Sequence, residues 1–512
     1  MYTKPRFARY LPGLLLLAAA VLVALLTYQD FGISWDEQVQ RKMGEVSYDY
    51  IFKGDKALDT YIERDHGVGF ELVLLLVEKA VDAKDFRDVF LTRHLATHVF
   101  FLLGAFAGYV LALRLFNKQW LAVLAFLMIV VNPRLYAHSF FNSKDIPLLS
   151  AYLISLLLAE LSFRSNKLYA FLLLGLSCGY ATSIRILGIY IIVCLIALIV
   201  IDIVIKRKAE NWVNGGKRLC TFLIGAFAGV YMFWPTLWAN PFKNFIEAYQ
   251  SLSHFRWLGN VLFYGTRYES IKLPWFYLPG WFVITTPILW LSFALIGFIF
   301  ILLRFARQPQ AFLEKAHSRN FILYLLCFFG PVAAVIILKS VVYDDWRHVY
   351  FVYPSFVMIA LYGLNQISGR KVVKLTVITF AVGQLVLLLG WMIQNHPLHE
   401  VYFNEFVSAK EEYRRKNFDY DYWGSGYKQA LEYLAEHDTR DEIKLFSHQD
   451  PIMLNVLFLP EQHRKRIKPV KLEEAEYYPV NFRDHPGDYE YADIFYNLRV
   501  DNSSVIRIYK IK

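Results

Sequence analysis

Apolar residues along this chain come in blocks of about twenty, each closed by charged or aromatic positions. A helix of about twenty residues crosses a hydrocarbon core about 30 Å thick, so each block predicts a membrane-spanning helix. The first block is 11–26, and others fall at 95–116, 120–131, 147–163, 169–184, 187–205, 220–238, 281–303, 321–338, 349–364 and 375–393. That makes about eleven spans.

Every second loop is basic, with Arg114/Lys118, Arg164/Lys167, Lys206/Arg207/Lys208 and Lys217/Arg218, Arg304/Arg307/Lys315/Arg319, and Arg370/Lys371/Lys374. Cytoplasmic loops hold the excess of Lys and Arg. Lys4, Arg6 and Arg9 precede the first block, which places the N-terminus in the cytoplasm; no small-x-small cleavage site follows, so the block reads as an anchor. An odd number of spans then leaves the tail outside.

Two outside loops, 27–93 and 239–280, are too long to be simple connectors. In the first, the apolar run 68–81 is interrupted by Glu71, Glu78 and Lys79, and predicts a short interfacial helix that helps roof a cavity. After 393 the pattern changes to an amphipathic helix at 427–435 and strand-like runs at 442–447, 489–496 and 504–511. The expected fold is an α-helical polytopic membrane protein: a transmembrane catalytic domain over 1–393 and a soluble extracytoplasmic α/β domain over 394–512.

Composition agrees: the 512 residues are 56% hydrophobic and 17% aromatic, more apolar surface than a soluble fold of this length buries. The formal charge of +10 would suit nucleic acid, but the basic residues fall between apolar blocks instead of forming a stripe, so no nucleic-acid partner is expected. Cys178, Cys194, Cys220 and Cys327 lie in apolar stretches without CxxC spacing, which argues against a metal cluster or disulfide scaffold.

Three polar clusters then fall on the same, outer side. Ser34-Trp35-Asp36-Glu37 follows the first span; adjacent carboxylates at a membrane face suit proton abstraction, although Ser34 and Asp36 also suit a helix cap. The segment 132–147 concentrates Arg134, His138, Lys144 and Asp145 at a boundary where charge is costly and an anionic partner fits, with snorkelling as the plain alternative. Tyr343-Asp344-Asp345-Trp346-Arg347-His348 precedes another span; Arg347 can clamp phosphate oxygens or pair with Asp344 or Asp345. Asp419-Tyr420-Asp421 is a DxD in the tail, a weak candidate for metal.

Trp35-Asp36-Glu37, the 132–147 segment with Lys144-Asp145, the Arg347-His348 loop and the many-helix frame resemble the GT-C superfamily of membrane glycosyltransferases. The similarity is greatest to the branch of protein O-mannosyltransferases and lipid A aminoarabinose transferases, over about the first 390 residues. His396-Pro397, Tyr402-Phe403-Asn404 and Asp421-Tyr422-Trp423-Gly424 are similar to uncharacterised bacterial members of it. The resemblance implies transfer of a sugar from a polyprenyl-phosphate donor to a protein, lipid or polysaccharide hydroxyl on the outer face, usually with inversion. It makes Asp36 the general base, with Glu37 as its helper and Asp145 orienting acceptor or base. Charge and side then assign Lys144, Arg347, Arg134, His138 and His348 to the donor phosphate. This branch requires no metal cofactor, and the expected location is a bacterial inner membrane. A transporter or lipid flippase is the rival, kept alive by interrupted spans such as 175–188 with Arg185.

Overall fold

A computed structural model describes residues 6–205, 209–253, 256–314, 316–448 and 450–512. Of the residues read as topology signals, Lys4, Lys206, Arg207, Lys208 and Lys315 lie outside the described residues. The fold is mainly helical, with a small sheet near the C-terminal end.

Among the described residues, six helices are long and apolar enough to cross a membrane: Phe86–Phe116, Asp145–Ser165, Ile186–Ile205, Ile288–Arg307, Ser318–Leu338 and Lys371–Gln394. Leu11–Thr27 and Leu168–Ile184 are shorter apolar helices. Where the hydropathy blocks predicted unbroken spans, breaks at proline divide two of them, 281–303 and 349–364, and the chain bends sharply just past a third. The Gln119–Val130 helix, about 18 Å long at 1.5 Å per residue, turns by 60° into Pro133–Phe141 at Asn132-Pro133. The 281–303 block splits into Tyr277–Thr285 and Ile288–Arg307 around Pro287, and 349–364 into a 3-10 turn, Arg347–Val352, and the Tyr353–Ile367 helix with Pro354 in its first turn.

The Leu168–Ile184 and Ala209–Phe233 helices pack backbone to backbone. A Cβ on Gly175 would stand 2.2 Å from the Phe222 carbonyl, and one on Gly225 2.4 Å from that of Leu172. Both helices carry a small-xxx-small pair, Gly175/Gly179 and Gly225/Gly229, the spacing that lets membrane helices approach closely.

The expected short helix is present as Gly69–Ala80, and its acidic residues face inward. Glu71 and Glu78 both pair with the buried Arg93, and Glu78 also takes Arg41 Nε at 2.9 Å. This pairing lets the next helix start at Phe86, nine residues before the apolar block begins. Asp85 caps it through the Arg87 N–H at 3.0 Å.

The loop 239–280 carries the hairpin β1 (Asn260–Phe263) and β2 (Thr266–Glu269). Beyond Gln394 lies a five-stranded sheet made of β3 (Ile443–Leu445), β4 (Ile467–Pro469), β5 (Tyr477–Asn481), β6 (Ile494–Val500) and β7 (Ser503–Lys510), in the order β4-β3-β5-β7-β6. The expected helix is there at Tyr427–His437. β5 was not foreseen: it is buried on both faces and contains Pro479, so it shows no alternation.

This tail is packed tightly onto the helices. Asn455 accepts the Ile33 N–H at 3.1 Å and donates to the Ile33 carbonyl at 3.0 Å, while Leu454 and Phe458 pack with Ile33, Val89 and Phe90. On the other flank, Phe263 of the hairpin bridges Phe418, and Asp419 N–H donates to the Leu262 carbonyl at 3.2 Å.

Candidate active site

Four segments distant in sequence meet at one cleft of about 430 Å³. Trp35 and Asp36 come from the first long loop, Trp257, Gly259, Asn260 and Arg267 from the second, Tyr343, Asp344 and Arg347 from the turn before Arg347–Val352, and Trp423, Arg483 and Asp484 from the tail. Its volume is that of a small-ligand site.

Asp36 stands at the start of the Glu37–Lys53 helix with its side chain 44% exposed, and one carboxylate oxygen lies 3.9 Å from Arg347 Nη1. It is therefore accessible from the cleft while held in a cationic field. Glu37 turns the other way: it is buried, accepts the Ser34 N–H at 2.8 Å, and lies 2.9 Å from His94 Nε2.

Arg347 is the hub. It pairs with Asp344 at 3.1 Å and lies 3.5 Å from Asp145, its guanidinium 4.8 Å from the Tyr343 ring and 4.7 Å from the Trp423 ring. Burial opposes its charge, but Asp344, Tyr343 and Asp36 outweigh that and hold it firmly protonated. Asp145 is buried between Arg347 and Arg185 and also accepts Asn142 Nδ2 at 3.0 Å.

Lys144, beside Asp145, is buried, with no carboxylate within 4 Å among the described residues; its ammonium lies 3.7 Å from the Met43 sulfur. Burial pushes it down to about 8; the carboxylate of Glu71 partly offsets this and the Arg185 guanidinium adds to it. The same burial, then Arg347, lowers Arg185 to about 10, and burial with Arg185 and Arg347 holds His348 well below its usual range. Lys144, Arg185 and Arg347 thus form one cationic cluster whose members repel each other, with Asp145 and Asp344 as buried counter-charges and Asp36 at its open edge. His348 is neutral at its margin, packed edge-on against Tyr343 at 4.8 Å.

The other two residues assigned to phosphate lie elsewhere. Arg134 is buried, pairs with Asp345 at 2.9 Å, donates to the Tyr402 carbonyl at 2.9 Å, and lies 5.3 Å from the Trp281 ring and 5.0 Å from that of Phe403. His138 is fully buried, with Tyr422 Oη 3.2 Å and Trp423 Nε1 3.3 Å from its Nε2. Both bind the tail to the helices.

The DxD carboxylates diverge. Asp419 accepts the Leu262 N–H at 3.0 Å, and Asp421 accepts those of Ser425 and Gly426 at 3.2 Å, capping the turn before Tyr427–His437. Burial raises them to about 7 and about 6. Among the described residues no three His, Cys, Asp or Glu side chains converge as metal ligands.

Sequence reading assigned no role at the site to Arg185, Arg483, Trp257 and Trp423. Arg185 left a signal, an ionisable residue within an apolar stretch. Arg483 and Trp257 left none, since nothing near them in sequence shows that they face Asp36.

Residues 69–245 match the family described as dolichyl-phosphate-mannose-protein mannosyltransferase. The match contains Lys144, Asp145 and Arg185, and accords with the resemblance drawn from the motifs to the GT-C membrane glycosyltransferases. No curated protein matches the chain. Among solved structures, an Archaeoglobus fulgidus oligosaccharyltransferase in the apo form is similar at 12% identity with a TM-score of 0.49, covering 92% of this chain and 66% of its own. ArnT from Cupriavidus metallidurans is similar in the apo state at 12% identity and a TM-score of 0.48, and bound to undecaprenyl phosphate at 13% and 0.46, with 97% of both chains covered in each case. The chain therefore spans just under two thirds of the archaeal enzyme's length.

Proposed function

We propose that this chain is a membrane glycosyltransferase that moves a sugar from a polyprenyl-phosphate-linked donor to an acceptor hydroxyl on the extracytoplasmic face. The observation that carries the reading is the half-exposed carboxylate of Asp36 beside a cluster of three cations whose buried counter-charges are Asp145 and Asp344. The family match supports the donor class, since its description pairs a lipid phosphate with a transferred sugar.

In this reading the acceptor hydroxyl enters the cleft and its oxygen attacks the anomeric carbon from the face opposite the phosphate, inverting it. Asp36 takes the hydroxyl proton as the new bond forms. The bond from carbon to phosphate oxygen breaks and its electron pair leaves with the lipid phosphate. Arg347, Lys144 and Arg185 stabilise that growing charge from fixed positions. Asp145, between the two arginines, offsets their mutual repulsion and orients them. The helices of 1–393 form the catalytic part in a bacterial inner membrane, with the N-terminus cytoplasmic and 394–512 outside.

The test is transfer of labelled sugar from polyprenyl-phosphate donors to cell-envelope acceptors by the purified protein, with Asp36→Asn alongside. Transfer that the variant loses supports Asp36 as base. Undiminished transfer by the variant moves the base elsewhere, and no transfer from any donor returns the transporter or flippase to the front.

A further inference from the structure

Arg483 enters the cleft from the tail, just past β5. Its guanidinium forks: Nη1 donates to the Tyr422 carbonyl at 2.8 Å and Nη2 to Asp344 Oδ1 at 2.6 Å. The other oxygen of Asp344 receives Arg347 Nη2 at 3.1 Å. Arg347 Nη1 in turn lies 3.5 Å from Asp145 and 3.9 Å from Asp36. Charge alternates along this chain from the tail sheet to the proposed base, and one carboxylate is shared by two arginines through different oxygens.

The backbone gives a second, independent observation. Asp344 and Asp345 have φ of 55° and 64°, consecutive left-handed residues that are not glycine. Such a pose persists only where its surroundings fix it. Here one carboxylate is gripped by Arg483 and Arg347, the other by Arg134, Tyr350 and Tyr422. The Arg347 backbone N–H is itself bound to Asp345. The turn that presents Arg347 is therefore held from the tail side.

We propose that Arg483 is a positioning residue which, through Asp344, fixes the Arg347 guanidinium, so that the tail completes the phosphate clamp of the helical part. What the clamp holds rests on the donor reading above; the positioning does not. A lysine at 483 keeps the charge but lacks the planar fork that serves two acceptors at once.

The experiment uses the full chain in lipid nanodiscs, with binding of a polyprenyl phosphate as readout and thermal unfolding as the check on folding. Arg483→Gln is expected to weaken binding about tenfold in the wild-type background and less than twofold in an Arg347→Lys background, because contacting residues couple and independent ones add. Arg483→Lys should fall between wild type and Arg483→Gln, and stands in if the glutamine variant misfolds. Equal weakening in both backgrounds, or none in either, overturns the proposal. Hydrogen exchange of the 343–352 amides in the ligand-free protein decides the positioning separately: it should quicken in Arg483→Gln, and unchanged exchange overturns it. If the wild type binds no polyprenyl phosphate while exchange still quickens, the donor reading falls and the positioning stands.

Discussion

Lys144 offers a prediction in which stability and function move in opposite directions. Its ammonium is buried, lies against the Met43 sulfur, and among the described residues has no carboxylate within 4 Å. The gap between an ordinary lysine at 10.5 and about 8 here converts to about 3 kcal/mol of destabilisation at neutral pH, at about 1.4 kcal/mol per tenfold. Lys144→Met removes the charge and keeps an unbranched side chain of similar length. The variant should therefore be more stable at pH 7, by up to about 3 kcal/mol, while binding polyprenyl phosphate at least tenfold more weakly for loss of a charge-assisted contact.

The folded-state value lies below the unfolded one, so the unfolded chain holds the extra proton between about 8 and 10.5. The wild type carries the full penalty below about 8 and sheds it as pH rises through that window, so the two proteins converge at high pH. Denaturant unfolding in detergent at neutral and strongly alkaline pH, with phosphate binding at neutral pH, measures all three quantities. A variant less stable than wild type at pH 7 would refute the reasoning, since it would mean the ammonium already has an anion in the folded protein. So would a stability gap that fails to close at high pH. Sites of this kind, where function keeps a charge that folding disfavours, are where stabilising substitutions cost activity.

Glu37→Gln should lower stability by about 1–3 kcal/mol by weakening the bonds to Ser34 and His94, with transfer affected far less than by Asp36→Asn; a thermal melt beside the transfer assay reads both. Arg134→Met leaves Asp345 buried without its cation and should destabilise by about 3–5 kcal/mol, whereas unchanged stability with lost phosphate binding would return Arg134 to the donor site. Asp421→Ala removes a cap on two backbone N–H groups and should cost about 1–2 kcal/mol, with no response of the melting temperature to added manganese in either protein.

Much of this protein is legible in its sequence because lipid imposes a one-dimensional rule. A block of about twenty apolar residues is a helix wherever it lies, so the helical frame, the short helix at 69–80 and the change of character after 394 all follow from the order of residues. Local chemistry likewise singled out Asp36, Lys144, Asp145 and Arg347, since charge at a membrane boundary calls for a partner. Which charges are mutual partners is a matter of three-dimensional proximity, and only the tertiary structure decides it. Arg134 and Arg347 read alike in sequence, yet one is sealed against Asp345 and two aromatic rings while the other borders the cleft. Asp36 and Glu37 are neighbours, but a helix start turns adjacent side chains in different directions, so one faces the cleft and the other His94. Arg483 lies 136 residues from Arg347, and only the packing of the tail sheet against the Asp344 turn brings the two to one carboxylate.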